Sequence, residues 1–422
     1  MRFNVLSKYV ITGGYKLDGA IEVDSAKNAV LPILAGAIMC SSEVIINKFP
    51  NFVDVTNMCK ILQSLGVKVD LGDKTAIINA SNACANLVPV QTAKLLRSSI
   101  FTMGAMLARF RTARLAYPGG CDIGLRPINL HLKGLKDLGV KITENHGILN
   151  CDASSLRGGK VVLDFPSVGA TENIMMCACL AKGKTTIINS AREPEIVDLA
   201  CFLNKCGAKI YGAGTSTIEI DGVKQLFGCE YTPIPDRIIA GTYLIAAAIT
   251  GGKIEVKGCN PQNFISLVDK LHNSGCVLTT KSDKIYLKSP KVLKSVGFIE
   301  TATYPGFPTD LQAQMLALLT VSRGCSVVQE NLFESRYKFV PELVRMGANV
   351  LVRERTAIVE GVPYLSGAEV YAKDLRGGAS LVLAGLNAHG YTTVYDIHHI
   401  ERGYSDFDKA LNSLGASIKR VE

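Results

Sequence analysis

Tryptophan is absent from the 422 residues, histidine occurs only six times, and charged side chains make up just 20% of the chain. Among thirteen cysteines there is no CxxC pair and no Cys/His cluster at zinc-like spacing, so no metal site is expected. No apolar run reaches the ~18 residues that a membrane span needs. The longest lie near 29–40 and 238–252, and the first twenty residues lack the apolar core of a secretory leader. Neither GxxxxGKS/T nor a strand-placed GxGxxG occurs, which excludes the two standard phosphate cradles. Long Lys/Arg runs are missing too. A net charge of +9, dispersed along the chain, favours acidic small ligands over a nucleic-acid track. The expectation is a cytoplasmic, monomeric protein with reduced thiols, and with neither a membrane nor a nucleic-acid partner.

What is present is a hydrophobic fraction of 48% with thirty-nine glycines, enough core for two to three domains of about 150 residues. A helix running through a Leu-x-x-x-Gly end into a strand recurs six times, with glycines at Gly66, Gly139, Gly207, Gly275, Gly347 and Gly415. They stand 73, 68, 68, 72 and 68 residues apart. Glycine closes a helix at the position that demands positive φ, where other residues are strained. A second set of Ala-rich helical segments interleaves, starting near Lys27, Arg97, Thr171, Arg237, Thr309 and Arg376. Units of about 70 residues are too long for common solenoids, so two globular halves of three units each are expected. The proline-bearing link Tyr231-Thr232-Pro233-Ile234-Pro235 marks one crossing. The domains are read as residues 27–232 and as 1–26 with 233–422, the first strands joining the C-terminal half.

Four features break local rules. Lys27, Arg97, Arg237 and Arg376 are cations at helix starts, where the macrodipole disfavours them. Each reads either as a solvated cation or surface ion pair, or as part of a convergent anion site, and Asp236 beside Arg237 offers simple neutralisation. The loop Pro118-Gly119-Gly120-Cys121-Asp122-Ile123-Gly124-Leu125-Arg126-Pro127 holds a cysteine outside any apolar run, with Arg114 and Arg126 nearby. That context favours thiolate or proton-donor chemistry, whereas the other twelve cysteines read as inert core thiols. Thr309-Asp310 reads as an ordinary helix cap or as a carboxylate base. His398-His399 invites a metal, yet adjacent residues rarely face one way.

These segments, in order, resemble the UDP-N-acetylglucosamine 1-carboxyvinyltransferase family: Ser25-Ala26-Lys27-Asn28-Ala29, the Pro118–Pro127 loop, Asp164 to Thr171, Phe307 to Gln314, Phe333-Glu334-Ser335-Arg336, Asp374-Leu375-Arg376 and Arg402-Gly403-Tyr404. The resemblance implies an inside-out α/β barrel fold, two similar domains with helices inside and sheets outside. It implies transfer of the enolpyruvyl group of phosphoenolpyruvate to the 3′-hydroxyl of UDP-N-acetylglucosamine, the first committed step of peptidoglycan synthesis, with the site lying between the halves. Cys121 would be the proton donor and Asp310 the base. Lys27, Asn28, Arg126 and Arg402 would bind phosphoenolpyruvate. Arg97, Arg126, Pro127, Ile128, Asn129, Leu130, Phe165, Pro166, Ser167, Val168, Asp310 and Leu332 would bind the UDP-sugar, supported by Arg336 and Arg376. No cofactor or metal is implied. The family often carries a basic residue where Phe165 stands. Two rivals remain: the sister transferase that acts on shikimate 3-phosphate, whose Gly-Asn-Ala-Gly-Thr type run is missing around Arg97, and a repeat-built nucleic-acid clamp.

Overall fold

The computed structural model describes residues 7–84, 87–88, 96–117, 123–124 and 127–422. Cys121 and Arg126 lie outside these residues. The chain forms two compact units. The first takes in the described residues from 25 to 234 except 123–124; the second takes in 7–24, 123–124 and 235–422.

Among the described residues each unit carries three four-stranded sheets. In every sheet one edge strand lies parallel to its neighbour and the other pairings are antiparallel. Lys160–Val162, for example, runs parallel to Lys184–Ile188, and the chain between them passes through the helix Val168–Cys179. Parallel neighbours require such a crossover. The strands alternate: Lys184–Ile188 and Cys325–Gln329 both bury every second residue, so one face packs inward and the other meets solvent.

The enclosed helices are buried on nearly all sides and are accordingly mostly apolar. In the first unit these are Lys27–Ala37, Phe101–Phe110 and Val168–Cys179. In the second they are Arg237–Ile249, Gln312–Leu319 and Leu375–Asn387, with every residue of Arg237–Ile249 buried. Helices inside and sheets outside is the inside-out α/β barrel expected above. The six repeat glycines all have positive φ, between 80° and 102°, and each closes an outer helix before a strand.

Three hydrogen bonds set the direction of the first unit's central helices. Arg109 Nη1 donates to Ile38 O (2.6 Å) and Cys40 O (3.3 Å) past the end of Lys27–Ala37. Arg111 Nη2 donates to Leu180 O (2.8 Å) past the end of Val168–Cys179. Both arginines close the helix Phe101–Phe110 itself, so all three C-terminal ends lie together and the helices run parallel. Guanidinium groups satisfy carbonyls that a helix end leaves open. The helices touch closely at Gly104, where a Cβ would come within 2.3 Å of Asn173 O.

The link is held by one buried carboxylate. Tyr231 Oη donates to Asp198 Oδ1 (2.7 Å) and Ile234 N donates to Oδ2 (3.2 Å). Burial pushes the Asp198 carboxyl up from 3.8 to about 6, against the hydrogen bonds from Tyr231 and Ile234, which pull it down. Ala26 N donates to Ile234 O at 2.7 Å.

Candidate functional site

Because the first unit's central helices are parallel, their starting ends share the opposite pole. Lys27 opens one helix, Arg97 opens the short 3-10 turn leading into Phe101–Phe110, and Ser167 caps the third by accepting from Ala170 N (3.4 Å). Lys27 is not a solvated cation. It is buried, and its Nζ lies 3.2 Å from Asp54 Oδ2, a carboxylate only 4% exposed. A buried cation on a helix start needs such a partner. Below this pole, Asn173 links the helices: its Oδ1 accepts from Gly104 N (2.7 Å), its Nδ2 donates to Ile100 O (3.0 Å), and the same nitrogen meets His131 Nδ1 at 2.8 Å. Glu172, beside it, is wholly buried with Oε2 unpartnered, and burial, then the Glu195 and Glu193 charges, holds its carboxyl well above the usual range.

In the second unit the central helices also gather their starting ends, here around Asp310. Arg336 Nη2 donates to Asp310 Oδ1 at 2.8 Å and to Thr309 O at 3.0 Å. Arg376 Nη2 donates to Asp310 Oδ2 at 3.1 Å. Both guanidinium groups are nearly inaccessible, with side chains 3% and 4% exposed, while the Asp310 side chain keeps 27%. Burial opposes the Arg376 cation, yet Asp310 beside it holds its pKa above the ordinary range. A carboxylate gripped at both oxygens and still open to solvent is fixed in orientation without being sealed off. The capping alternative therefore fails: no side chain caps either the Thr309–Leu311 turn or Gln312–Leu319. Thr309 Oγ1 instead donates to Glu330 Oε2 (2.9 Å), and Glu330 Oε1 accepts from Leu332 N and Phe333 N. True caps stand at the other two helices, Asp236 on Ile238 N and Ile239 N, and Asp374 on Arg376 N and Gly377 N. These caps answer the dipole objection to Arg237 and Arg376 with an adjacent carboxylate.

Other expected residues are placed as follows. Asn28 and Arg97 are half-buried, Pro127 and Asn129 exposed, and Leu130, Pro166, Val168, Leu332 and Arg402 intermediate. Phe165 is 47% exposed, whereas Ile128 is 1% exposed, so its side chain packs in the core. Cys121 and Arg126, with most of their loop, lie outside the described residues; within that loop Ile123 O accepts from Ser335 N at 3.0 Å. Arg114 faces outward and donates to Asn150 Oδ1 (3.2 Å). Cys201 and Cys325 are exposed, so the remaining cysteines are not uniformly core thiols. His398 and His399 lie with ring centroids 4.1 Å apart and their planes tilted by 36°, so these neighbours do share a side; among the described residues no group of three His, Cys, Asp or Glu is arranged to hold a metal.

Sequence reading gave no role to the hydroxyl of Tyr404, although it meets Thr242 Oγ1, Gln314 Nε2 and Arg376 Nη1 at 2.9, 3.1 and 3.2 Å. The available signal was a polar residue inside a mostly apolar helix, as at Thr242, Gln314 and Asn173, since such a group needs a buried partner.

The EPSP synthase family model, 3-phosphoshikimate 1-carboxyvinyltransferase, matches residues 11–411. UDP-N-acetylglucosamine 1-carboxyvinyltransferase 2 of Caldanaerobacter subterraneus subsp. tengcongensis is 49% identical over 99% of this chain and 100% of its own. UDP-N-acetylglucosamine 1-carboxyvinyltransferase 1 of Symbiobacterium thermophilum is 48% identical over 98% and 95%. The enolpyruvyl transferase NikO from Streptomyces tendae superposes with a TM-score of 0.88 at 24% identity, covering 99% of both chains, which speaks to the fold. EPSP synthase from Acinetobacter baumannii shares that fold at a TM-score of 0.76, with 18% identity over 99% of this chain and 100% of its own. No helix among the described residues is long and apolar enough to cross a membrane. With a family model spanning most of its length and relatives near half identical from end to end, this chain belongs to the enolpyruvyl transferases, in the family of the UDP-N-acetylglucosamine 1-carboxyvinyltransferases.

Proposed function

We propose that this protein transfers the enolpyruvyl group of phosphoenolpyruvate to the 3′-hydroxyl of UDP-N-acetylglucosamine and releases phosphate. Near half identity to relatives that carry this activity in their names supports the choice of acceptor. The observation that carries the chemistry is the Asp310 carboxylate, held at both oxygens by Arg336 and Arg376 and still partly exposed. Asp310 takes the proton of the sugar hydroxyl as its oxygen bonds to the central carbon of phosphoenolpyruvate. Cys121 gives a proton to the methylene carbon, which becomes a methyl group as the central carbon becomes the tetrahedral centre of the adduct. The adduct then loses that proton equivalent and phosphate, and the vinyl ether forms. No atom changes oxidation state overall, so the reaction calls for no redox cofactor. Each proton transfer contributes about 10²–10⁴-fold.

Lys27, Asn28, Arg126 and Arg402 serve the phosphate and carboxylate of phosphoenolpyruvate, and Arg97, residues 127–130, residues 165–168 and Leu332 serve the UDP-sugar. Ile128 contributes through its main chain, since its side chain is buried. The protein acts on small molecules in the cytoplasm as a monomer.

A phosphate-release assay with phosphoenolpyruvate and either UDP-N-acetylglucosamine or shikimate 3-phosphate tests this reading. Turnover is expected with the nucleotide sugar and not with shikimate 3-phosphate. Cys121→Ala and Asp310→Asn are each expected to lose at least about a hundredfold in kcat. Full activity in either variant removes that residue from its role, and turnover with shikimate 3-phosphate alone overturns the acceptor.

A further inference from the structure

We infer that Tyr404 is a positioning residue for the Asp310 carboxylate, acting through Arg376 and Gln314; this rests on the reading of Asp310 as the base. Tyr404 is 1% exposed and packs its ring on Phe407, with centroids 4.6 Å apart. Its hydroxyl is the meeting point of three polar side chains from three central helices of the second unit. Donor and acceptor counting gives the bonds one direction. Thr242 Oγ1 donates to Ile238 O (2.8 Å), which leaves it an acceptor for the Tyr404 proton (2.9 Å). The Tyr404 oxygen then accepts from Arg376 Nη1 (3.2 Å) and Gln314 Nε2 (3.1 Å).

Both donors continue to Asp310. Arg376 uses Nη2 on the carboxylate oxygen Oδ2 (3.1 Å), and Gln314 uses Nε2 on the main-chain oxygen of Asp310 (2.9 Å). One phenol thus fixes the far side of the two groups that fix the carboxylate and its backbone. A planar guanidinium held at only one nitrogen can rotate about its stem. Held at Nη1 by Tyr404 and at Nη2 by Asp310, it cannot. Among the described residues no other acceptor meets Arg376 Nη1, and the side chain is 4% exposed, so water is a poor substitute. Among the described residues the charged and titratable groups facing this cluster are Arg376, Asp310, Arg336, Asp374, Asp236, Asp24 and Tyr243.

The test compares the full-length protein with Tyr404→Phe, Thr242→Val, Tyr243→Phe and Asp310→Asn, by phosphate release from pH 5.5 to 9 with both substrates varied. Phenylalanine keeps the ring on Phe407 and removes only the hydroxyl. Expected for Tyr404→Phe is a fall in kcat of about tenfold, with both KM values within about threefold. The acid limb of kcat should also move up by about half a pH unit, because Arg376 grips the carboxylate less firmly. Thr242→Val, which removes the acceptor of the Tyr404 proton, should reproduce the same pattern at about threefold. Tyr243→Phe strips a hydroxyl from the adjacent buried ring and should leave kcat within about twofold. Wild-type kcat and acid limb in both Tyr404→Phe and Thr242→Val overturn the inference, as does an equal loss in Tyr243→Phe. Asp310→Asn separates the two levels: an active Asp310→Asn variant overturns the base itself, whereas an inactive one beside a normal Tyr404→Phe overturns only the role of the phenol.

Discussion

Replacing Asp198 with asparagine puts a number on the anchor of the proline-bearing link. The carboxyl is 4% exposed, and burial raises its pKa from 3.8 to about 6. A rise of this size, at ~1.4 kcal/mol per pH unit, is ~3 kcal/mol of linkage free energy. The sign follows from the direction. A raised carboxyl binds its proton more tightly in the folded chain, so its contribution is fully present below pH 3.8. It is lost as pH climbs through about 6, and above that the folded state carries the whole cost. Asparagine keeps the shape and an oxygen for Tyr231 Oη, loses one acceptor for Ile234 N, and does not titrate. The lost hydrogen bond is a constant offset of about 1–3 kcal/mol against the variant at every pH. The titration is not constant. Between pH 4.5 and pH 7 the stability of Asp198→Asn should improve relative to wild type by ~2 kcal/mol. For a unit of about 200 residues this is a relative gain of roughly 4–8 °C in melting temperature. Differential scanning calorimetry of both proteins at half-unit pH steps reads it directly. A melting difference that stays flat from pH 4.5 to 7 refutes the buried-carboxylate argument, whatever its absolute size.

The remaining predictions concern the first unit's central helices. Gly104→Ala would drive a Cβ to 2.3 Å from Asn173 O; overpacking of about 1–3 kcal/mol outweighs the ~1 kcal/mol that alanine gains as a helix former. A melting temperature several degrees lower is expected, and an unchanged one refutes the close approach. Glu172→Gln removes a carboxyl whose pKa is raised well above 4.5 by burial. The wild type loses stability as pH rises above 4.5 and the variant does not, so the advantage of the glutamine should grow from pH 5 to 8.5 in thermal melts. A shrinking advantage would reverse the assignment.

Much of the fold was legible because it is periodic. Six glycines at near-constant spacing predict six helix ends, and a positive φ at each follows from the same steric rule that made them readable. The cations at helix starts were legible as violations, since a lone sequence position shows the unfavourable dipole. Their resolution was not legible. Asp54 lies 27 residues beyond Lys27, and Arg336 lies 26 beyond Asp310; such partners are set by packing, which no local pattern encodes. Thr309-Asp310 shows the limit most plainly. Its sequence fits a helix cap, and only the two arginines brought in from elsewhere draw the carboxylate off that duty. The pairing of Tyr404 with Thr242, 162 residues away, left no trace beyond a hydroxyl in an apolar helix.

Arg109 and Arg111 have an electrical consequence. Three parallel helices present roughly half an elementary charge each at either end. At their carboxyl ends the two guanidinium groups cover the exposed carbonyls and cancel the negative pole. At the opposite pole Lys27 and Asp54 offset one another, so the partial positive charge of the helix starts persists there and this end of the first unit leans positive toward distant charges. Phosphorylated molecules drifting nearby are drawn to it before any contact forms, and the pull fades as added salt shortens its ~10 Å range.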